Sequence, residues 1–245
     1  MSLVRDMKTL FRLTLVPIRG GTHEQRLESF YGSQAADYDR FRERLLHGRQ
    51  QLYDRLPTPD GGVWVELGGG TGSNIERLGE RRARLKQVHI VDLSASLLDV
   101  ARDRVVSKKW ENVAVHHADA TTFALPERAD VVTFSYSLTM IPDWYLALEN
   151  AKRLLKPGGL LGVVDFYVSR KHPADGLRRH GWWTRTFWPT WFANDNVFPN
   201  ADHVPYLHQR FTSVHFEEQQ ARIRGFPLMA TPYYLFIGRK GEAAD

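Results

Sequence analysis

From residue 63 onward, short apolar runs alternate with longer stretches whose apolar positions fall three and four apart. "VWVEL" (63–67), "QVHIVDL" (87–93), "VAVHHADA" (113–120), "ADVVTFSYSL" (129–138) and "LLGVVDFYV" (160–168) predict five strands. "SNIERLGERRARL", "SASLLDVARDRVV" and "DWYLALENAKRLL" between them predict helices, with Ser94 as an N-cap, Asp143 at a helix start and "KPGG" as a stop. "TSVHFEEQQARIR" and "TPYYLFIGR" read as two closing strands joined through Gly225 and Pro227. Strand and helix in alternation imply βαβ units. The fold class expected is α/β: a doubly wound, Rossmann-like, seven-stranded, mostly parallel sheet with an antiparallel last strand and helices on both faces.

Before residue 63 the pattern is helical. Residues 3–16 predict a short amphipathic helix, with Arg5, Lys8 and Arg12 on one side and Pro17 and Gly20-Gly21 as its stop. Such a helix can lie on an anionic membrane or pack on the protein's own core, and the pattern leaves both open. Residues 24–56 read as helix with breaks at Gly32 and Gly48, followed by a linker containing Pro57, Pro59 and Gly61-Gly62. Residues 167–205 depart from both rhythms. They hold Trp182, Trp183, Trp188 and Trp191 beside Arg170, Lys171, Arg178, Arg179 and Arg185. This implies one domain in four parts: a helical cover (1–62), a binding core (63–166), an aromatic insertion (167–210) and closing strands (211–245).

Composition narrows the partners. The net charge of +5 and pI near 9.5 favour an anionic partner: nucleic acid, a membrane surface or an acidic substrate. The chain has no cysteine, which excludes disulfides and thiolate metal sites. No apolar run is long enough to cross a bilayer and the N-terminus lacks the layout of a signal peptide, so a cytoplasmic location is expected. No metal-ligand spacing occurs, and His116 and His117 read as structural or surface residues.

The stretch "WVELGGGTGSN" (64–74) carries the chemistry. Glycines directly after a first strand allow positive φ and let backbone N–H groups approach a ligand at the sheet's switch point. A dinucleotide fingerprint starting at Gly68 and Gly70 needs glycine at 73, where Ser73 stands, and no Lys-Ser/Thr pair makes a nucleotide P-loop. What is present is Glu66-x-Gly68-x-Gly70-x-Gly72, followed 20 residues beyond Gly72 by Asp92 at the end of the second strand, where a carboxylate can accept from a ribose diol.

That motif resembles the first motif of the Class I S-adenosylmethionine-dependent methyltransferases, over residues 63 to about 166 and in weaker form to 238. The resemblance implies S-adenosyl-L-methionine as cofactor and S-adenosyl-L-homocysteine as product. It implies that Glu66 lies near the methionine ammonium, with Gly68, Gly70 and Gly72 beneath the methionine part. Asp92 would take the ribose and Leu93 one adenine face. Asp119 and Ala120 would take the adenine edge, and Ser135 to Ser137 would border methionine and substrate.

Two flanking segments, "FYGSQAADYDRFRERLLHGR" and "HGWWTRTFWPTWFANDNVF" with "DHVPYL", make the chain similar to the betaine-lipid N-methyltransferases. Those enzymes trimethylate the amine of diacylglycerylhomoserine to diacylglyceryl-trimethylhomoserine, on a substrate supplied by a separate aminocarboxypropyl transferase. Tyr31 and Tyr38 stand seven apart, so one helix face can present both to a sulfonium or methylated ammonium; alternatively they cap the core. They are the catalytic candidates. Tyr136, Trp183, Trp188, Asp195 and His203, with Asp202, are candidates for the acceptor site. The tryptophan-rich insertion reads as a membrane-interface element, a substrate lid or a hydrophobic cover. Other acceptors stay open, namely phosphatidylethanolamine or a small amine, as does a non-catalytic cofactor-binding regulator. Nucleic acid is disfavoured because "SYSL" (135–138) stands where a base-methylating motif is expected.

Overall fold

The computed structural model describes residues 20–31, 46–193, 196–223 and 226–242. The helix expected over 3–16, the middle of the 24–56 stretch, and the candidates Tyr38 and Asp195 lie outside the described residues. Within them the order is α1 (His23–Tyr31), α2 (Arg49–Arg55), β1 (Val63–Leu67), a 3-10 stretch (Ser73–Arg84), β2 (Gln87–Asp92), α3 (Ala95–Ser107), β3 (Val113–His117) and β4 (Ala129–Ser135). After a 3-10 turn (Leu138–Met140) come α4 (Trp144–Leu154), β5 (Leu155–Phe166), α5 (Trp182–Ala193), α6 (His203–Arg210), β6 (Thr212–Ile223) and β7 (Phe226–Arg239).

The seven strands form one sheet in the order β3-β2-β1-β4-β5-β7-β6. β1, β2, β3, β4 and β5 pair in parallel, and β7 runs antiparallel to both β5 and β6. The expected architecture is therefore the observed one. After β1 the chain winds outward through β2 and β3, then returns to β4 on the other side. This reversal opens a crevice at the carboxyl ends of β1 and β4, where doubly wound sheets bind ligands.

Period-two alternation assigns each residue of β1 to a face. Val63, Val65 and Leu67 join the apolar cluster containing Phe134, Leu148 and Phe236. Trp64 joins the opposite cluster, with Leu52, Tyr53 and Ile90. Both faces are buried, as a parallel sheet requires.

Local signals set the helix ends. Thr22 Oγ1 accepts from Gln25 N (3.2 Å) while Gln25 Oε1 accepts from Thr22 N (3.4 Å), a reciprocal capping box that starts α1. Ser94 Oγ accepts from Leu97 N at 3.4 Å, as its N-cap position predicts. Asp143 starts α4 through its backbone carbonyl, which accepts from Leu146 and Ala147, rather than through its side chain. Two expectations need correction. "KPGG" does not separate α4 from the fifth strand, because β5 begins at Leu155 and already pairs with Ala129 there. Pro227 falls inside β7 rather than in the connection.

Candidate active site

A cleft lies over the carboxyl ends of β1, β2, β3 and β4. Its floor is the glycine loop. Gly68 has φ +69° and lies so close to Ser137 that an added Cβ would sit 2.4 Å from the Ser137 Cβ. A side chain there is excluded twice, by handedness and by space. The loop is tied down from three directions. Gly68 N and Gly69 N donate to Val91 O (2.8 and 3.0 Å), Gly70 N donates to Asp92 Oδ2 (2.8 Å), and Arg104 from α3 donates to the Thr71 carbonyl.

Asp92 thus does two things. Its Oδ1 accepts from Ser94 N at 2.9 Å while Oδ2 holds the loop, and the residue also lines the cleft. Asp92 stands at the strand end where a carboxylate is placed to accept from the hydroxyls of a ribose. Leu93, Leu97, Ala118, Asp119 and Ala120 form the wall beside it. Asp119 Oδ1 accepts from Thr121 N (2.7 Å) and Thr121 Oγ1 (2.8 Å), which fixes the carboxylate at the rim of β3.

Glu66 lies elsewhere. Alternation places it on the Trp64 face, fully buried and not among the residues lining the cleft. Its Oε1 accepts from Tyr53 Oη (2.8 Å) and Asn74 Nδ2 (2.7 Å), and Arg49 Nη1 donates to Asn74 Oδ1 (3.3 Å). Burial and the adjacent Glu66 carboxylate push the Tyr53 hydroxyl well above its usual range, so it stays a donor. Glu66 anchors α2 and the loop from below. Gly72 (φ +69°) also serves the loop's shape without lining the cleft, and the buried Ser135 Oγ has no hydrogen-bond partner among the described residues.

The other half of the cleft is built from larger side chains. Tyr136 has φ +56°, a costly backbone conformation for a bulky residue and one that clusters at functional sites. Its amide donates to Val164 O (2.8 Å), its hydroxyl donates to His47 O (2.7 Å), and its ring meets Phe166 edge-on at 4.6 Å. Those three contacts hold the strained residue. α1 covers this half: His23, Leu27 and Tyr31 recur every four residues and all line the cleft. Tyr31 Oη lies 3.0 Å from Met140 Sδ. Glu28 Oε2 accepts from Ser94 Oγ (3.0 Å) and Glu24 Oε1 stands 3.1 Å from His117 Nε2, fastening the cover at two points.

Ser137, at the end of the 135–137 stretch expected to border methionine and substrate, lines the cleft, and so do His23, Met140 and Asp143, which were not among the sequence candidates. The four-residue spacing from His23 to Tyr31 was the available signal for His23. Burial and the nearby Arg26 lower its pKa, with Asp119 and Asp143 opposing, which favours the neutral imidazole.

Four acceptor-site candidates stand outside the cleft. Trp183 is 66% exposed on the outer side of α5. Trp188 is buried against Phe187 and Phe192. His203 is fully buried beneath Trp144 and Tyr234; burial drives its pKa down to about 3, and it remains a neutral packing residue. Asp202 sits at the start of α6, paired with Arg170 at 2.7 Å. No group of three or more His, Cys, Asp or Glu able to hold a metal occurs among the described residues.

A Rossmann-like sheet with a glycine cradle, a ribose-competent carboxylate and no phosphate-binding lysine defines an S-adenosylmethionine site. Residues 65–163 match the family model described as "Methyltransferase domain". The chain is 31% identical over 190 residues to the ubiquinone/menaquinone biosynthesis C-methyltransferase UbiE of Ectopseudomonas mendocina, covering 75% of this chain and 73% of that protein. It is 29% identical over 224 residues to the protein of the same name in Cellvibrio japonicus, covering 89% and 86%. Phosphoethanolamine N-methyltransferase 2 of Haemonchus contortus, solved with S-adenosyl-L-methionine, shares the fold with TM-score 0.69 at 16% identity, over 92% of this chain and 61% of that one. The chain belongs to the Class I S-adenosylmethionine-dependent methyltransferases and is a methyltransferase dependent on that cofactor.

Proposed function

We propose that this methyltransferase acts on the amine of a lipid head group, with diacylglycerylhomoserine as acceptor and diacylglyceryl-trimethylhomoserine as product. The observation that carries this reading is the charge of the cleft. Asp92 and Asp119 line the part read as the cofactor's and Asp143 the part read as the acceptor's, and among the described residues no Arg or Lys lines the cleft. Such a lining favours an ammonium and disfavours the phenolate or enolate that methylation of a ring carbon requires. Tyr31 and Tyr136 add aromatic surface suited to a quaternary ammonium. The head group is a zwitterion whose carboxylate calls for a cation, and among the described residues no Arg or Lys lines the cleft, so the lining supports an amine acceptor in general and not the homoserine head group in particular.

The bound cofactor supplies a methyl group on a sulfonium, whose sulfur keeps the bonding electron pair when the methyl leaves. The protein's work is to align the acceptor nitrogen and to let it shed its proton before transfer. The nitrogen lone pair forms the new N–C bond, so an acceptor that enters as an ammonium sheds one proton before each of the three transfers. Asp143 and His23 are titratable side chains on the wall of the acceptor half. Tyr31 Oη and Tyr136 Oη are the polar aromatic groups of the acceptor half. The aminocarboxypropyl transferase that makes the acceptor is the expected pathway partner, and the cytoplasmic face of a membrane is the expected location.

The UbiE relatives favour a second reading, C-methylation of a lipid-soluble ring. A panel assay separates the two. The purified protein is incubated with S-adenosylmethionine and, separately, diacylglycerylhomoserine, phosphatidylethanolamine and a demethylated quinol, with products followed by mass spectrometry. Stepwise addition of three methyl groups to the first lipid is expected. Methylation of the quinol with none of either lipid would establish the second reading.

A further inference from the structure

One face of the insertion has no role in the cleft. α5 places Trp182 (69% exposed) and Trp183 (66% exposed) at its start and Trp191 near its end, on the solvent side. Trp183 stacks on Phe187 at 5.5 Å, and Phe187 meets Trp191 at 5.5 Å, so the exposed aromatics form one ridge. Exposed tryptophans in contact with one another differ from scattered apolar surface residues, which need no explanation.

Charge flanks the ridge. Lys171, Arg178 and Arg179 are exposed on the segment leading into α5, and Arg185 lies on the helix itself. None of these four makes an ion pair among the described residues, and Asp175 is the lone acid of this stretch. Arg170, which does have a partner in Asp202, stands apart from them. Tryptophan sits well at the boundary between head groups and acyl chains, and unpaired basic side chains beside it complement anionic lipid.

The inner side of the same helix leads to the cleft. Trp188 stacks on Phe192 (5.5 Å), Phe192 stacks on Phe166 (4.7 Å), and Phe166 meets Tyr136 (4.6 Å) at the cleft wall. An unbroken series of aromatic contacts therefore joins the outer ridge to the residue that carries the strained turn.

We propose that the Trp182–Trp183–Trp191 ridge and its basic flank dock on an anionic bilayer, so that an acceptor leaves the bilayer beside α5 and enters the cleft past Tyr136. This deepens the lipid reading above by naming the surface that meets the lipid, but docking and methyl transfer are read out separately. No helix of the described residues is long and apolar enough to cross the membrane, so the contact is interfacial.

The test is flotation of the full chain with vesicles of phosphatidylcholine alone and of phosphatidylcholine mixed with phosphatidylglycerol, together with tryptophan emission. Binding to the anionic vesicles alone, a blue shift of the emission, and weakening by salt are expected. Trp182→Ala with Trp183→Ala lowers the binding by about a hundredfold, from the apolar surface two indoles bury. Lys171→Glu with Arg179→Glu lowers it by about tenfold or more, from the loss of two basic contacts. Val106→Ser, at an exposed apolar position on α3, leaves it unchanged. Cofactor affinity, measured in parallel, stays at the native value in all of these and confirms that each variant is folded. Equal binding to both vesicle types, binding insensitive to both double substitutions, or self-association through the ridge without vesicle binding would each overturn the proposal. Vesicle binding with no lipid methylated leaves the docking intact and removes the acceptor assignment; methylation of detergent-dispersed lipid without vesicle binding does the reverse.

Discussion

The two halves of the cleft are built from different materials. The half assigned to the cofactor consists of backbone and short side chains at strand ends: Gly68 and Gly70 in the loop, Asp92 and Asp119 at the ends of β2 and β3. The half assigned to the acceptor consists of large side chains on elements added to the sheet: Tyr31 on α1, Tyr136 on a strained turn, and Phe166 leading to α5. In the first half, position follows from the sheet's topology, because strand ends are where they are whatever the helices do. In the second, position follows from how added helices pack. Substitutions in the first half should therefore change cofactor affinity, and those in the second should change what is methylated and how fast.

Gly68→Ala breaks the first half most severely. It places a methyl group within 2.4 Å of Ser137 at a positive φ. Cofactor affinity by titration calorimetry should fall by about a hundredfold or more, and Ser137→Gly in the same chain should recover part of the loss. Recovery tests the close approach itself, since the handedness penalty is unaffected by residue 137.

Asp92→Ala removes the loop anchor and, in the proposed reading of the cofactor half, the ribose acceptor. A loss of about 2–3 kcal/mol in cofactor binding is expected, in the range of a charge-assisted hydrogen bond removed. Native affinity in this variant would show that the ribose assignment is wrong.

The second half has a buried acid beside it. Asp165, at the end of β5, is fully buried and accepts from Thr139 N (3.2 Å), Thr139 Oγ1 (2.8 Å) and Phe166 N (2.8 Å). Desolvation, only partly opposed by these donors, raises its pKa from 3.8 to about 7. A carboxyl held protonated in the folded state favours folding at low pH. That contribution is present below pH 3.8, declines as the unfolded chain ionises, and is lost once the pH passes about 7. Over this window it amounts to roughly 4 kcal/mol. Asp165→Asn should remove it, so the stability of the native protein relative to the variant should fall between pH 4 and pH 7 in denaturant titrations. A constant difference across the window would contradict the raised pKa.

The smallest effect is expected from Tyr136→Phe. It keeps the ring against Phe166 and loses the hydrogen bond to the His47 carbonyl, about 1 kcal/mol in stability. Turnover should fall while cofactor affinity holds. A variant that lost cofactor affinity and kept turnover would merge the two halves that the comparison separates.

The same division explains what the sequence could reveal. The succession of strands and helices and the cleft-lining Gly68, Gly70, Asp92, Leu93, Asp119 and Ala120 were legible because strand alternation and loop spacing are local. Glu66 was legible as a residue of the motif but not in its contacts. Those depend on which face of β1 meets α2, and Tyr53 is 13 positions away in sequence. His203 and Trp188 looked like site residues because polar and aromatic groups beside a binding core resemble a pocket lining. Their burial comes from the packing of α5 and α6, which no short-range pattern encodes. The positive φ of Tyr136 was equally hidden, since tyrosine gives no sign of a left-handed turn.

The most direct test locates the transferred methyl. The protein is given S-adenosylmethionine carrying an isotope-labelled methyl group, with diacylglycerylhomoserine and a demethylated quinol together in anionic vesicles, and the products are fragmented by mass spectrometry. An acid-lined cleft that accepts amines predicts label on the head-group nitrogen, accumulating as mono-, di- and trimethyl species. Label on a ring carbon of the quinol, with the lipid amine unlabelled, would contradict it.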